Sequence, residues 1–424
     1  MGKQINSIKG MNDILPHDMA LFNCLLDVVR KSLSGYGYEE ISTPILEKTD
    51  LFARSIGGAT DIVSKEMYTF LDKSDESLTL RPEATAGIVR AGITNNLFYG
   101  AQKKLWCYGP MFRYERPQKG RFRQFHQVSV ETFGYSNIGI DAELIAISNL
   151  IWDRLKIDKP TLEINTMGSF ESREAYKSVL VDYFKKFKKD FDQDDKRRIE
   201  LNPLRLLDTK NIKLKKAIDE APSMFEYIDD ESKNEFIELL ALLDRLGIKY
   251  QLNNKLVRGL DYYNKTVFEW TTDKLGSQSA ICSGGRYDSL VGQLGGADVP
   301  ACGWALGMER IIELMKLSSH VNENNCDVYV IPVGKDALSF TINLMDKMNR
   351  ELKDIIIFAD YADTGLKSRM KKADKSGAKY AVIVGEDELK QSQVSLKDMR
   401  DSSEQKSVST AGLLKLLKKE KNNG

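Results

Sequence analysis

Histidine is scarce in this chain of 424 residues: only His17, His126 and His320 occur, far apart from one another. That spacing excludes a histidine-rich metal site. Cysteine is thin as well: Cys24, Cys107, Cys282, Cys302 and Cys326 are odd in number, scattered, and form no C-x-x-C pair. A disulfide framework and a structural zinc site are therefore not expected, and reduced thiols of a cytoplasmic protein are. No apolar run approaches the length of a membrane span. The opening MGKQINSIKG lacks the apolar stretch of a signal peptide, and Asn6 stands where a myristoylation signal takes Ser or Thr. The expectation is a soluble chain with no membrane partner. Excess charge of one sign is missing too, since 62 Lys and Arg balance 61 Asp and Glu. A nucleic-acid partner would have to be met by local basic patches rather than by a global field. Phosphate-binding glycine loops are also absent: no G-x-x-x-x-G-K-[ST] occurs, and no G-x-G-x-x-G follows a strand. A nucleotide handled here would need arginines in place of such a loop, with Arg113, Arg121, Arg258 and Arg310 as candidates.

What is present is a globular composition, 42% hydrophobic and 29% charged, over a length that implies two or three domains. An amphipathic helix is predicted over 16–34, with Pro16 in its first turn and Leu21, Leu25, Val28 and Val29 on one face. Gly35-Tyr36-Gly37 ends it, and a strand near Tyr38 to Ile41 leads to Pro44. Strand-like runs then alternate with helices to about Glu131. From about Glu171 to Gly247, Lys- and Asp-rich helical stretches (Tyr183 to Phe191, Glu231 to Leu246) read as an insertion interrupting the main domain. Strand- and glycine-rich sequence resumes near Tyr250 and runs to Lys316. After a polar linker at 318–325, strands at Val328–Val333, Ile355–Ala359 and Ala381–Val384 alternate with helices at Leu338–Leu352 and Gly365–Ser376. That pattern predicts a small, mostly parallel α/β domain. Leu413 to Lys421 reads as a solvated helix.

Five segments carry polar constellations. In LVRGLDYYNKTVFEW (256–270), strand signals flank Asn264-Lys265, predicting a β-hairpin with Arg258, Asp261, Tyr262 and Tyr263 close together. Such a cluster suits a polar pocket, and it equally suits an ion-paired surface hairpin. Met111 to Gly134 reads as two strand arms around Pro117-Gln118-Lys119-Gly120. Arg113 and Glu115 share a face on one arm, and Gln127, Ser129 and Glu131 share a face on the other, with Val128 and Val130 opposite. Arg116, Lys119, Arg121 and Arg123 crowd the tip, where a polyanion can be met or where a basic hairpin is simply solvated. In LRPEAT (80–85), Glu83 and Thr85 either share a face or open a helix after Pro82. CSGGRYDSLVGQLGG (282–296) has glycines that let a backbone approach closely. ACGWALGMERIIELM (301–315) places Glu309 and Arg310 in a first helical turn, where Arg310 also suits a surface ion pair.

Together these pieces resemble the class II aminoacyl-tRNA synthetases, and within them the histidyl-tRNA synthetase family. Tyr38 to Pro44 is similar to the first class motif, Phe112-Arg113-Tyr114-Glu115 with its hairpin to the second, and Gly303 to Arg310 to the third. LVRGLDYY and SGGRYD are similar to the two histidine-specific signatures, with Ser283 and Ser289 where glycine is common. The resemblance covers essentially the whole chain. It implies a class II α+β catalytic core with an antiparallel sheet (1–171 and 248–318), a helical insertion (172–247) and a C-terminal α/β anticodon-binding domain (326–424). It implies ATP and Mg2+, L-histidine, the cognate tRNA(His) and a homodimer. Residue by residue, Arg113, Glu115, Arg121 and Arg310 would meet ATP, with Arg113 on its α-phosphate. Arg258, with Arg113, would be catalytic. Glu83, Thr85, Gln127, Glu131, Tyr262 and Tyr263 would join Arg258 around histidine. Arg116 and Gln118 would meet the acceptor end of the tRNA, and no metal ligands are assigned. The alternative is a histidine-sensing paralogue of the ATP phosphoribosyltransferase regulatory-subunit type, which characteristically lacks signature arginines and the anticodon-binding domain.

Overall fold

The computed structural model describes residues 4–57, 60–209, 211–276, 280–318, 326–401 and 404–422. The chain forms two compact units, 1–321 and 322–424. In the first, eight strands make one sheet: β1 (Glu39–Glu40), β5 (Lys103–Phe112), β6 (Gln124–Phe133), β7 (Thr161–Thr166), β8 (Tyr250–Leu252), β9 (Asn264–Thr271), β10 (Ala280–Arg286) and β11 (Ala301–Gly307), in the order β1-β5-β6-β11-β10-β9-β7-β8. The six central strands are antiparallel, and the two edge strands β1 and β8 pair in parallel with β5 and β7. A smaller sheet holds β2 (Leu46–Lys48), β3 (Tyr68–Leu71) and β4 (Ser77–Leu80).

The alternation read in 127–131 decides which side of the large sheet does what. Val128 and Val130 are fully buried and belong to a core shared with helices Pro16–Gly35, Gly139–Leu155 and Met308–Leu317. Pro16 does open the first of these, and its buried stripe is Leu21, Phe22, Leu25, Leu26, Val29 and Leu33. A second core lies under Leu105, Cys107, Met111 and Phe133 and continues into Tyr176, Leu180, Phe184, Leu204 and Leu206. The helical stretch after Glu171 therefore completes the core on the sheet face opposite Val128 and Val130. Its later helix, Asp230–Arg245, buries Phe236, Leu239 and Leu243 in the first core.

The hairpin predicted over 256–270 does not form. Residues 256–263 are a loop, and β9 pairs on one side with β7 and on the other with β10. Lys265 takes the left-handed conformation (φ 48°), but its N–H donates to Gly168 O at 3.0 Å and its carbonyl accepts from Met167 N at 2.6 Å. The kink thus joins β9 to the end of β7 instead of folding it onto a preceding arm. The arm before the turn of 111–134 also stops early: β5 ends at Phe112, so Arg113 and Glu115 stand in the tip, although Arg113 N still donates to Arg123 O at 2.9 Å. The predicted helix at Tyr183–Phe191 ends at Phe184 and tightens into a 3-10 stretch over Lys185–Asp190.

In the second unit, β12 (Val328–Pro332), β13 (Ile357–Ala359) and β14 (Tyr380–Val384) are parallel. Two further strands, β15 (Gln393–Asp398) and β16 (Lys406–Ser409), are antiparallel, so the sheet is mixed rather than mostly parallel. β16 is polar and mostly exposed, and in β15 only Val394 and Leu396 alternate, too short a run to be read as a strand. Helix Thr410–Asn422 is not simply solvated, because Leu413, Leu414 and Leu417 are buried against β12 and β14. The linker expected at 318–325 lies outside the described residues beyond Ser318, as does His320.

One charged pair sits wholly inside this architecture. Arg286, at the end of β10, donates to both oxygens of Asp141 in helix Gly139–Leu155, with its Nε 3.4 Å from Oδ1, and its Nη1 reaches Tyr135 O at 3.0 Å. The two side chains are 2% and 0% exposed, so neither charge has water to fall back on. Removing one partner of such a pair strands the other, at a cost of about 3–5 kcal/mol. Asp141→Asn is expected to lower unfolding stability by about that amount in urea titration; a change within experimental error would show that the pair is solvated.

Candidate active site

The face of β6 that carries Gln127, Ser129 and Glu131 forms the floor of a cleft of about 360 Å³. Arg113, Glu115 and Arg121 enter it from the hairpin tip, Glu83 and Thr85 from the segment after β4. The loop 256–263 supplies Arg258, Tyr262 and Tyr263, and the turn into helix Met308–Leu317 supplies Arg310. All twelve of these residues therefore share one cavity. Arg116 and Gln118 do not line it: they lie exposed at the tip, where Gln118 and Arg121 exchange backbone hydrogen bonds of 3.0 Å.

One end of the cleft is cationic. Arg113 is fixed by a 2.9 Å bond from Nε to Pro82 O and lies over the Phe125 ring, 5.3 Å from its centroid. Arg121 pairs with Glu115, and Arg310 donates to Ala280 O. Burial pushes the pKa of all three guanidiniums down, and Arg310 falls to about 10 because Arg121 and Arg113 repel it as well. Like charges held together in a half-dry site make a receptor for a polyanion.

The other end is lined by carboxylates and tyrosines. Thr85 opens helix Thr85–Thr94, and the Glu83 carboxylate accepts from Thr85 N (2.6 Å) and Ala86 N (2.9 Å), satisfying the first turn. So LRPEAT does start a helix, and the capping carboxylate still faces the cleft. Glu131 accepts from the hydroxyls of Thr85 (2.6 Å) and Tyr287. Burial raises the Glu131 pKa to about 8 despite these two donors, with Glu83 adding repulsion. Tyr262 packs at a tilt against Tyr263 and edge-to-face against Tyr287, with centroids 4.7 and 5.4 Å apart. Gln127 Oε1 and Ser129 Oγ are buried without a protein partner, which leaves them to a polar ligand. A Cβ at Gly303 of β11 would strike the Glu131 carboxylate and Val130 O, so only glycine lets β11 lie this close beneath the site.

Arg258 sits between the two ends. It is ion-paired with Glu269 and lies over the Tyr263 ring at 5.6 Å, while its Nε has no partner. Sequence reasoning missed Glu269 and gave Tyr287 no role. The signal for Glu269 was a lone acid inside the apolar run TVFEW; Tyr287 lay in the quoted SGGRYD. Glu309 anchors the cationic end, accepting from His126 N at 2.9 Å and meeting His126 Nδ1 at 2.9 Å.

The profile of the family described as histidyl-tRNA synthetase matches residues 10–311, and that of the anticodon binding domain matches 327–420. The chain belongs to the histidyl-tRNA synthetase family. It is 48% identical over 419 residues to a protein of Hydrogenovibrio crunogenus named histidine–tRNA ligase, covering 99% of this chain and 98% of that one. A protein of the same name from Nitrosomonas europaea is also 48% identical, over 98% of this chain and 99% of its own. Among solved structures, the apo histidyl-tRNA synthetase of S. aureus superposes with a TM-score of 0.81 at 33% identity, over 98% of this chain and 100% of that one. The class II fold of the family is thus present in full, with its antiparallel core, its helical region and its C-terminal anticodon-binding domain.

A synthetase cleft with clustered arginines should bind inorganic tripolyphosphate in the absence of any other substrate. At about 100 times the dissociation constant, the ligand is expected to add about 2.7 kcal/mol of stability. The thermal midpoint should rise accordingly, and Arg310→Ala should reduce the rise. An unchanged midpoint in the unmutated protein would refute the polyanion receptor.

Proposed function

We propose that the chain is a histidine–tRNA ligase, which joins L-histidine to ATP as histidyl-adenylate with release of pyrophosphate and then transfers histidine to the 3' end of its tRNA. The observation that carries this reading is the single cleft in which a cationic end meets a carboxylate- and tyrosine-lined end. Identity along the whole chain to relatives named histidine–tRNA ligase supports it over the histidine-sensing paralogue, as do the retained arginines and the second unit.

In the first step, the histidine carboxylate attacks the α-phosphorus of ATP, so two anions approach while charge builds on phosphoryl oxygens. Arg113 would hold the α-phosphate, with Arg121 and Arg310 on the outer phosphates and Glu115 keeping Arg121 in place. Mg2+ would arrive on the phosphates: among the described residues no three metal-ligating side chains converge. Arg258 stands at the junction of the two ends, held over Tyr263 by Glu269. Fixed guanidiniums of this kind need no reorganisation as charge develops. Glu83, Thr85, Gln127, Glu131, Tyr262 and Tyr263 would surround the amino acid. A pocket that hydrogen-bonds both imidazole nitrogens can reject analogues lacking them by about 10⁴–10⁵. Arg116 and Gln118, exposed at the tip, would meet the acceptor end of tRNA(His), and the 326–424 unit its anticodon. A cytoplasmic homodimer is the assembly consistent with the family and with the absence, among the described residues, of any helix long and apolar enough to cross a membrane.

Two measurements test the assignment. Arg258→Ala is expected to slow histidine-dependent ATP–pyrophosphate exchange about 10²–10³-fold, and a near-normal rate would refute its catalytic role. Glu131 bears on pH: with its pKa near 8 the carboxyl is mostly protonated at pH 7, whereas a cationic group of the amino acid favours the carboxylate. Histidine binding at pH 7 should therefore release up to about one proton, and affinity should rise from pH 6 to pH 8. Calorimetry in buffers of different ionisation enthalpy reads the release directly. Glu131→Gln should remove it, and no buffer dependence in the unmutated protein would count against this placement.

A further inference from the structure

The loop 256–263 carries Arg258, Tyr262 and Tyr263, yet packing alone does not hold its middle in place. Arg258, Leu260 and Tyr263 line the 360 Å³ cleft on one side and a second cavity of about 150 Å³ on the other. Close packing therefore defines its position only in part, where Leu260 packs against the cores of Tyr262 and of Phe52 and Ile56. The rest is defined by a set of polar bonds, most of them from the helical insertion.

Asp261 is the centre of that set. Its Oδ1 accepts from Asn202 Nδ2 at 2.8 Å and from Arg205 Nη2 at 3.0 Å. Arg205 Nη2 also donates to Gly259 O at 2.8 Å, so one guanidinium bridges the loop's backbone and its side chain. Arg173 Nη1 donates to Tyr263 O at 2.5 Å and to Asp261 O at 3.4 Å. From the opposite side Asp261 N donates to Ile56 O at 3.1 Å.

The donors are themselves anchored. Asn202 Oδ1 accepts from Leu204 N at 3.2 Å, capping the short turn Pro203–Leu206, which leaves its amide nitrogen as the group facing Asp261. Leu204 and Leu206 of that turn are buried in the core that also holds Leu256, Tyr262 and Tyr263. The turn and the loop are therefore fastened to the same body, and the polar bonds set the distance between them.

The geometry points to Asn202 and Arg205 as positioning residues for the reaction: they clamp the Arg258 loop through Asp261 without touching substrate. This rests on the ligase reading for what the loop does, but not for the clamp itself. A small displacement of a group that orients reactants can cost about 10²-fold in rate. Asn202→Asp, which keeps the turn's cap but sets a carboxylate against Asp261, and Arg205→Ala should each lower kcat of histidine-dependent ATP–pyrophosphate exchange by about 10- to 100-fold. Arg205→Lys should recover part of the loss. Because Arg205 acts in part through Asp261, combining Arg205→Ala with Asp261→Asn should cost less than the product of the two single effects.

Hydrogen exchange read by mass spectrometry separates the clamp from the chemistry. In Asn202→Asp and Arg205→Ala, deuterium uptake should rise in peptides spanning 256–263 and stay unchanged over β5 and β6. Unchanged uptake in 256–263 would overturn the clamp, and raised uptake with normal kcat would overturn the positioning role. Should Arg205→Ala raise uptake throughout the chain, the isosteric Asn202→Asp decides between these outcomes. Absence of histidine-dependent exchange in the unmutated protein would refute the ligase reading, and the uptake data would still decide the clamp.

Discussion

The register of β6 between β5 and β11 is the constraint on which both core and cleft depend. Val128 and Val130 are locked into the helix-covered face, and the two-residue period then forces Gln127, Ser129 and Glu131 onto the other. A slip of one residue would exchange the two sets, burying a carboxylate among aliphatic side chains and exposing the valines. Neighbouring strands enforce the choice: Gly303 sits opposite Glu131, and no other residue leaves room there for its carboxylate. Stability and chemistry are thus specified by the same hydrogen-bond ladder.

On this floor the polar groups are arranged by charge rather than by mutual satisfaction. The arginines at one end depress one another's pKa, while Glu131 at the other is driven towards its neutral form. On the proposed reading, a substrate would bring to each end what it lacks: phosphate oxygens for the guanidiniums, a cationic or hydrogen-bonding group for the carboxyl and for Gln127 Oε1. A reaction that brings a carboxylate to a phosphorus atom needs this division, because the two anions must approach with their other charges already engaged. Arg258 is placed where the ends meet, and its pairing with Glu269 sets its direction without removing it from the cleft.

Much of this was legible in the residues. Helix Pro16–Gly35 followed from Pro16 and its leucine stripe, and the two faces of β6 followed from a five-residue alternation. Of the cleft-lining residues, Gln127, Ser129 and Glu131 were legible from strand alternation, whereas Glu83, Thr85, Arg113, Arg258 and Arg310 were assigned to the site by the family resemblance, their local sequence suiting a surface role equally well. The loop 256–263 was not, because its strand-like composition serves burial of Leu256 and Tyr262 in a core rather than pairing. Local propensity cannot distinguish those cases; the competing partner, the end of β7, is about a hundred residues upstream. β16 escaped for the opposite reason, since an edge of a sheet tolerates polar sequence, while β15 lies inside the sheet but offers only Val394 and Leu396 as an apolar alternation.

The same distance effect explains why the helical insertion reads as an accessory in sequence and not in space. Its charged, glycine-poor stretches are those of a solvated excursion, but its leucines finish the core on the cleft side of the sheet and its Asn202 and Arg205 reach the loop that carries Arg258. Leu256, Tyr262 and Tyr263 anchor the ends of this loop in the core, but Arg258, Gly259 and Asp261 gain little from burial, so their geometry is set by hydrogen bonds to a rigid body. Supplying that body from an insertion lets the loop remain polar enough to face substrate while still being held. The polar segment and its holder are interdependent, and neither makes structural sense without the other.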